Sequence, residues 1–271
     1  MKLKNKIIVI TGASRGIGRE IAAACARQGA KVVICSRNLA DVKKVCDKFK
    51  KDGFDVSGTK ADVSIASDIE KLYQFALKTY NHIDVWINNA GIFSGYEALD
   101  EKSYEQILST VNINLTATLN ACKLIIPYFI KQDGGIIINL SGRGGEFKPA
   151  PFMTTYAATK AAIVSLTKSL AQENEKYPLS IHSVYPGMVV TDMHKDIKIG
   201  TKSSFSIKSL PYVLKAFGVP IKVVGKAFAD IAAQKPGRVT GKNYSLLKGF
   251  KMMRAICMIT YFSITGKIKR E

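Results

Sequence analysis

Residues 7–18 read IIVITGASRGIG, in which a short apolar run leads directly into three glycines spaced G-x-x-x-G-x-G. The apolar run predicts a buried strand, and the Ala-rich stretch after Gly18 predicts a helix. Gly12 permits the tight turn off the strand, and Gly16 and Gly18 let the backbone approach phosphate oxygens. Because a helix N-terminus carries free N–H groups and a partial positive charge, this stretch predicts a pyrophosphate-binding turn.

The same alternation of strand and helix continues along the chain. Predicted strands fall at residues 7–10, 32–34, 85–87, 136–138 and 181–184, and apolar residues at helical spacing fall at 69–80 and 108–126. Most of the strand runs are apolar throughout, which is typical of strands that are covered on both faces. The pattern predicts an α/β fold with a single doubly wound parallel sheet.

Composition predicts one domain with a tail. The chain has 271 residues, 47% of them hydrophobic, and no Ser- or Pro-rich linker divides it. We predict a domain over residues 1–246 and an extension over 247–271. Five cysteines without a C-x-x-C pair indicate reduced thiols, and an apolar run of only four residues near the N-terminus is too short for a signal peptide. Both observations predict a cytoplasmic protein.

Positive charge is concentrated in the C-terminal part. Residues 195–271 hold 16 basic and 3 acidic residues, a net +13 of the total +19. Such asymmetry predicts either an anionic partner for this part or simply a basic solvated surface. No motif or aromatic stacking platform supports nucleic-acid binding, and we predict none.

The second strand ends at Cys35-Ser36-Arg37, where an NAD site usually places a carboxylate on the ribose hydroxyls. Arg37 instead offers a guanidinium that can pair with a 2′-phosphate, and Arg15 could supply a second cation. The alternative is that both arginines are solvated surface residues. We predict a preference for NADP(H) over NAD(H).

Four motifs together resemble the classical short-chain dehydrogenase/reductase family. They are the glycine-rich turn at 11–18, Asn-Asn-Ala-Gly at 88–91, Tyr-Ala-Ala-Thr-Lys at 156–160, and Pro-Gly at 186–187 followed by Thr191. The resemblance covers residues 5–246. It implies a Rossmann-like sheet of about seven strands, hydride transfer between a nicotinamide and an alcohol or carbonyl (EC 1.1.1 type), and a homodimer or homotetramer.

The resemblance also carries roles onto matching positions. Asp62 corresponds to the family's adenine-binding aspartate, Asn88 and Gly91 to residues on the ribose side, and Thr191 to the residue that holds the carboxamide. The full set of implied cofactor-binding residues is Gly12, Ser14, Arg15, Gly16, Ile17, Gly18, Arg37, Asp62, Val63, Asn88, Ala90, Gly91, Tyr156, Lys160, Pro186, Gly187, Val189 and Thr191. We predict no metal site.

Tyr156 is the predicted proton donor and acceptor of the reaction. Lowering its ordinary pKa of about 10 towards neutrality requires about 4 kcal/mol of differential stabilisation of the phenolate. Lys160 lies four residues on, one helical turn away on the same face, so its ammonium would favour the phenolate. By resemblance, Asn114 holds a proton-relay water, whereas Asn112 points elsewhere on the helix and is interpreted as structural.

The serine that polarises the substrate carbonyl in this family departs from its usual position. It normally stands thirteen residues before the tyrosine, and by that count this chain has Arg143. When the strand Ile138-Asn139-Leu140 is aligned instead, the position of the serine is occupied by Gly142. Ser141 could reach the site if the glycine-rich loop reshapes. Otherwise a backbone N–H or the geometry of the substrate must polarise the carbonyl.

The sequence allows more than one role for the tail and does not identify the substrate. Residues 246–262 are broadly apolar with Lys248, Lys251 and Arg254 at three-residue spacing, and the uncharged stretch 255–266 is too short to span a bilayer. We predict a basic amphipathic helix that lies on a membrane surface, or that docks on the protein's own body or on a sister subunit.

The stretches at 83–91, 186–189 and 241–246 loosely resemble the family's chlorophyll b reductase branch, which implies a lipophilic carbonyl substrate. The leading interpretation is an active NADPH-dependent reductase. The alternative is a cofactor-binding but catalytically weak protein that senses redox state or associates with membranes.

Overall fold

The computed structural model describes residues 1–191, 197–203, 210–247 and 250–265. Its strands are β1 (Ile7–Ile10), β2 (Lys31–Ser36), β3 (Val56–Lys60), β4 (Val85–Asn88), β5 (Gly135–Leu140), β6 (Leu179–Tyr185) and β7 (Asn243–Ser245). Its α-helices are α1 (Gly16–Arg27), α2 (Leu39–Lys51), α3 (Ala66–Tyr80), α4 (Tyr104–Val111), α5 (Ala117–Lys131), α6 (Thr154–Glu173), α7 (Leu210–Phe217), α8 (Ile221–Ala232) and α9 (Phe250–Ile264).

The strands form one parallel sheet in the order β3-β2-β1-β4-β5-β6-β7. This confirms the predicted doubly wound, Rossmann-like sheet. The five strands expected from apolar runs are all present, and β3 and β7 complete the sheet. The strand order reverses direction between β1 and β4, and ligands of such sheets bind outside the carboxyl ends of the strands at this switch point.

Two apolar layers cover the sheet, one on each face. Side chains alternate along a strand, so Ile8 and Ile10 belong to the cluster with Phe228 of α8, whereas Val9 belongs to the cluster with Leu72 of α3. Burial on both faces explains why the central strands are apolar throughout. The core therefore holds the carboxyl ends of β1, β4, β5 and β6 in fixed positions.

Helices α4 and α5 are joined by a π-helical turn over Asn112–Thr116. The continuous helix Tyr104–Lys131 is long and apolar enough to cross a membrane by length and composition. However, Ile125 and Phe129 are fully buried in the sheet-packing cluster, so we assign it as a core helix.

The family resemblance implies a variable substrate cap over residues 193–225, and this segment and the predicted tail lie only partly within the described residues. Lys248 and residues 266–271, on which part of the tail's predicted charge rests, lie outside them. All five cysteines are free, and Cys257 alone among them is exposed.

Candidate active site

The glycine-rich turn lies between β1 and α1, as the sequence predicts. Gly12 has φ +65°, and a Cβ there would lie 2.8 Å from the Cα of Ala90. A Cβ on Gly18 would lie 2.6 Å from the carbonyl oxygen of Gly12. Neither position has room for a side chain, because the turn and the loop after β4 are in close contact. The N-cap residue of α1, Arg15, makes no side-chain capping bond, so the first N–H groups of the helix are open to an anion.

Asn89 holds this turn in shape, and sequence reasoning missed it. Its amide nitrogen Nδ2 donates to the carbonyl oxygens of Thr11 at 2.8 Å and Gly12 at 3.0 Å, and its backbone N–H donates to Thr11 Oγ1 at 3.1 Å. The loop after β4 is therefore tied directly to the phosphate-binding turn. The only signal for Asn89 in the sequence is that it is the second asparagine of the pair.

The predicted ribose-side residue Asn88 has its side chain in the core. Its Oδ1 accepts from Trp86 Nε1 at 2.9 Å, and its Nδ2 donates to Asn139 Oδ1 at 2.9 Å. The first bond lies within β4, and the second joins β4 to β5. We expect any effect of Asn88 on a bound cofactor to be indirect, through the backbone that it fixes.

The other predicted cofactor residues line the same edge of the sheet. Arg37 is exposed directly after β2, and Arg15 is exposed in the glycine-rich turn. Asp62 follows β3, where its Oδ1 accepts from the backbone N–H of Ser64 at 3.0 Å. A Cβ on Gly16 would lie 3.6 Å from Thr191 Cγ2, so the loop after β6 faces the turn.

The remaining predicted cofactor residues also lie at or near these loops. Val63 and Val189 are buried, Pro186 is buried, Gly187 has φ +78°, Ile17 packs partly against the core, and Ser14 and Ala90 are partly exposed. The described residues therefore form a continuous cradle that fits a dinucleotide.

Tyr156 and Lys160 lie on one face of α6, beside the end of β5. Lys160 Nζ donates to the carbonyl oxygen of Leu140 at 2.9 Å and lies 5.7 Å from the centroid of the Tyr156 ring. Burial lowers the pKa of Lys160 to about 8. Burial, with smaller contributions from Tyr185 and Tyr96, raises the pKa of Tyr156. Burial at Tyr156 thus favours the neutral phenol, whereas the sequence prediction is that the Lys160 ammonium and the positive nicotinamide of an oxidised cofactor both favour the phenolate.

Asn114 lies in the π-helical turn and reaches the same site. Its Oδ1 accepts from the backbone N–H of Ile92 at 2.8 Å, and its Nδ2 donates to the Ile92 carbonyl oxygen at 2.9 Å. A Cβ on Gly91 would lie 3.2 Å from Asn114 Oδ1 and 3.6 Å from Lys160 Nζ. Asn114, Gly91 and Lys160 therefore converge, and π-turns of this kind are frequent at functional sites. Asn112 is exposed.

Gly142, rather than a serine, faces the Tyr156 hydroxyl. A Cβ on Gly142 would lie 2.6 Å from Tyr156 Oη and 3.2 Å from Lys160 Cγ. Ser141 is buried, its backbone N–H donates to the Val184 carbonyl oxygen at 2.9 Å, and its Oγ has no hydrogen-bond partner among the described residues. The predicted catalytic role of Ser141 therefore stays a prediction, and its Oγ is buried in this structure.

Aromatic side chains that the sequence did not single out surround Tyr156. The Phe93 ring lies edge-to-face at 5.3 Å from the Tyr156 ring and at 5.0 Å from the Tyr96 ring. Tyr185, at the end of β6, is buried, and burial together with nearby Glu146 raises its pKa to about 12. These rings form an apolar wall beside the reacting hydroxyl.

A buried ion cluster fixes the loop that carries this wall. Glu97 is buried, and its carboxylate pairs with Lys198 at 2.7 Å and Lys102 at 3.2 Å. The backbone N–H of Tyr96 also donates to the Lys198 carbonyl oxygen at 2.8 Å. Residues 197–203 are thereby held over the loop that follows β4, on the side of the Tyr156 ring.

A Rossmann-like sheet with this cradle and a Tyr–Lys pair at its carboxyl edge defines a nucleotide-dependent oxidoreductase. The family model of short chain dehydrogenases matches residues 6–201. The chain therefore belongs to the short-chain dehydrogenase family and is an oxidoreductase of that family.

Relatives at similar identity include two named reductases. The chain is 34% identical over 245 residues to the 3-oxoacyl-[acyl-carrier-protein] reductase FabG of Chlamydia trachomatis, with 90% of this chain and 96% of the relative covered. It is 33% identical over 225 residues to chlorophyll(ide) b reductase NOL of Arabidopsis thaliana, with 81% of this chain and 63% of the relative covered. The chain thus spans less than two thirds of that plant reductase.

Solved structures share the fold over nearly the whole chain. A 3-ketoacyl-(acyl-carrier-protein) reductase from Brucella melitensis complexed with NADH has a TM-score of 0.79 at 25% identity, with 90% of this chain and 97% of that chain covered. An actinorhodin polyketide ketoreductase variant with NADPH also has a TM-score of 0.79, at 24% identity, with 89% and 95% covered. At that identity the second likeness shows the fold alone.

Proposed function

We propose that the protein is an NADPH-dependent reductase that interconverts a carbonyl and a secondary alcohol on a lipophilic substrate. The observation that carries the proposal is the convergence of Tyr156, Lys160 and Asn114 beside the glycine-rich turn. A bound reduced nicotinamide supplies the hydride. The chain must then supply the proton, the orientation of the substrate and the exclusion of water.

Tyr156 is the proton donor to the developing alkoxide. Burial raises its pKa, so the phenol carries the proton at neutral pH, and a positive charge beside it must lower that pKa for efficient donation. Lys160, with a pKa near 8, can hold or release a proton close to the working pH. Asn114, through its bonds to Ile92, fixes the backbone beside Lys160 and is the proposed entry point for a proton-relay water.

A nicotinamide cofactor is supported by the cradle and by the Brucella melitensis reductase of the same fold, whose structure is a complex with NADH. We propose NADPH because Arg37 stands directly after β2 and Arg15 lies in the turn, each with no described carboxylate as a partner. Two guanidinium groups at this edge favour a 2′-phosphate over a free ribose hydroxyl.

A lipophilic substrate is supported by the aromatic wall around the reacting hydroxyl. Phe93, Tyr96 and Tyr185 give one side of the site an apolar character. Relatives whose names describe reduction of a 3-oxoacyl group and of chlorophyll(ide) b agree with carbonyl reduction. We further propose a cytoplasmic homodimer or homotetramer, in keeping with the family resemblance.

The test is consumption of NADPH, followed by its fluorescence, in the presence of a panel of ketones, quinones and 3-oxoacyl thioesters. Turnover of at least one apolar carbonyl, lost in Tyr156→Phe, is the expected result. The second candidate, a cofactor-binding protein with little catalysis, is favoured by Gly142 at the usual position of the serine. It predicts NADPH binding without turnover across the panel.

A further inference from the structure

Among the described residues, one face of helix α9 packs on the protein and the opposite face is exposed to solvent. Ala255 and Phe262 are buried, and the Phe262 ring lies 5.2 Å from the Tyr212 ring of α7. Lys215 Nζ lies 6.0 Å from the centroid of the Phe262 ring. Helix α9 is therefore docked on α7 through this inner face.

The outer face of α9 is apolar as well. Met253 is 63% exposed, Ile256 54%, Tyr261 57% and Ile264 80%. At 3.6 residues per turn, these four side chains fall on one side of the helix, opposite Ala255 and Phe262. Single exposed apolar side chains are ordinary on protein surfaces, but a continuous stripe of four on one helix indicates a site of interaction.

We propose that this stripe docks on the surface of an anionic lipid bilayer. Helix α9 has 15 residues and so extends about 22 Å, which is shorter than the hydrocarbon thickness and fits a helix that lies along the interface. Basic residues flank the uncharged stretch on both sides, at 248, 251 and 254 before it and at 267, 269 and 270 after it. No acidic residue occurs between Asp230 and Glu271.

The positive charge of the tail favours a lipid surface over a second copy of this chain as the partner that covers the stripe. Two copies that met through this helix would bring together two segments with the same strong positive charge, which repel each other. Anionic headgroups attract the same residues, while the apolar stripe enters the acyl boundary. The combination of an exposed apolar stripe and flanking cations therefore fits an anionic bilayer better than self-association.

Residues next to α7 and at the start of the tail contact the loop after β6. The backbone N–H of Val219, just after α7, donates to the Met188 carbonyl oxygen at 2.7 Å. A Cβ on Gly187 would lie 3.5 Å from Leu247 Cβ, at the start of the tail. The segment just after α7 and the start of the tail thus contact the loop after β6, and α9 packs on α7. If the proposed function holds, docking brings a lipophilic carbonyl substrate in the bilayer close to this loop.

The first experiment is cosedimentation of the full chain with vesicles of phosphatidylcholine alone or mixed with phosphatidylglycerol. We expect binding to the mixed vesicles at low salt, weaker binding at high salt, and little binding to phosphatidylcholine alone. Ile256→Glu/Ile264→Glu should reduce binding at least tenfold. The matched control is Leu39→Glu, on α2 and 41% exposed, which should bind like the wild type. Wild-type binding by the double variant overturns the proposal.

A second measurement does not depend on the stability of the double variant. Trp86 is fully buried, so a new tryptophan in Ile264→Trp reports separately on the exposed stripe. We expect brominated lipids in anionic vesicles to quench the new emission and leave that of Trp86 unchanged. Binding without quenching would mean attraction by charge alone, and a lower oligomer mass in Ile256→Glu/Ile264→Glu without vesicle binding by the wild type would mean a subunit interface. Either result overturns the proposal, and neither depends on enzymatic turnover.

Discussion

The hydroxyl of Tyr156 lies against the backbone of Gly142, so closely that a Cβ at residue 142 would stand 2.6 Å from Tyr156 Oη. The strand-end position that faces the reacting tyrosine therefore carries no side chain. Tyr156 can take up this space only because residue 142 is glycine. Carbonyl polarisation must come from another source. The candidates are the buried hydroxyl of Ser141, which has no hydrogen-bond partner among the described residues, a backbone N–H, and the geometry of the substrate.

Substitutions at these two neighbouring positions should have different effects. Gly142→Ala should lower kcat at least a hundredfold, because the new Cβ must displace the Tyr156 hydroxyl from its position. Ser141→Ala should lower kcat about 10²–10³-fold if its hydroxyl polarises the carbonyl, the range lost with one such donor. Steady-state kinetics with NADPH and an accepted carbonyl measure both. Unchanged kinetics in Ser141→Ala would assign polarisation to a backbone N–H.

The buried ammonium of Lys160 should make stability depend on pH in a defined window. Its folded pKa of about 8 lies below its ordinary value of 10.5, so the unfolded chain binds more protons between these values and stability rises with pH across them. At pH 7 burial of the charge costs on the order of 3 kcal/mol, of which the bond to Leu140 offsets about 1. The urea concentration at the midpoint of unfolding should therefore be higher for Lys160→Met than for the wild type at pH 7. The difference between the two midpoints should narrow towards pH 10.

The matched control for this prediction is Lys168→Met, on the same helix and exposed. Its free energy of unfolding should follow the wild type across the same pH range. If Lys160→Met is no more stable than the wild type at pH 7, burial of the ammonium is not the dominant cost at this position.

Arg37 should set the preference between the two cofactors. Arg37→Ala should raise the Kd for NADPH about tenfold or more, because a lost charged hydrogen-bond partner costs ~1.5–3 kcal/mol, and should leave the Kd for NADH nearly unchanged. Fluorescence titration of both reduced cofactors is the measurement, with the exposed Lys44→Ala on α2 as the control. Equal affinity of the wild type for NADPH and NADH would contradict the assignment.

Asn89 should contribute to both stability and cofactor affinity. Asn89→Ala removes two donors from the carbonyl groups of Thr11 and Gly12, which should lower the free energy of unfolding by about 1–3 kcal/mol. The loosened turn should also raise the Kd for NADPH. Urea unfolding and titration test both effects, and the exposed Asn112→Ala serves as the control. A variant as stable as Asn112→Ala would show that the turn keeps its shape without Asn89.

The sequence predicts those parts of the fold that local pattern determines. The apolar run of β1 and the glycines at 12, 16 and 18 predict a strand, a turn and a helix within twelve residues. By contrast, β3 reads Val-Ser-Gly-Thr-Lys and β7 has three residues, so neither carries an apolar run. Both become strands because they pair with a neighbour that is already in the sheet.

The candidate site likewise has one part that local spacing predicts and another that it does not. Tyr156 and Lys160 are one helical turn apart, so their spacing alone predicts that they meet. The contact of Gly142 with the Tyr156 hydroxyl, the bonds of Asn89 to the turn and the ring of Phe93 beside Tyr156 depend on how loops from different strands pack together. Such contacts join residues far apart in the chain, and no local spacing encodes them.

The measurement that bears most directly on the proposed reaction compares Tyr156→Phe with the wild type in both NADPH binding and turnover. The substitution removes one hydroxyl and keeps the ring that packs on Phe93, so the Kd for NADPH should change less than threefold. Turnover of the accepted carbonyl should fall at least a thousandfold, because the proton donor is lost. Substantial turnover in Tyr156→Phe would show that the proton comes from another group and would contradict the role proposed for Tyr156.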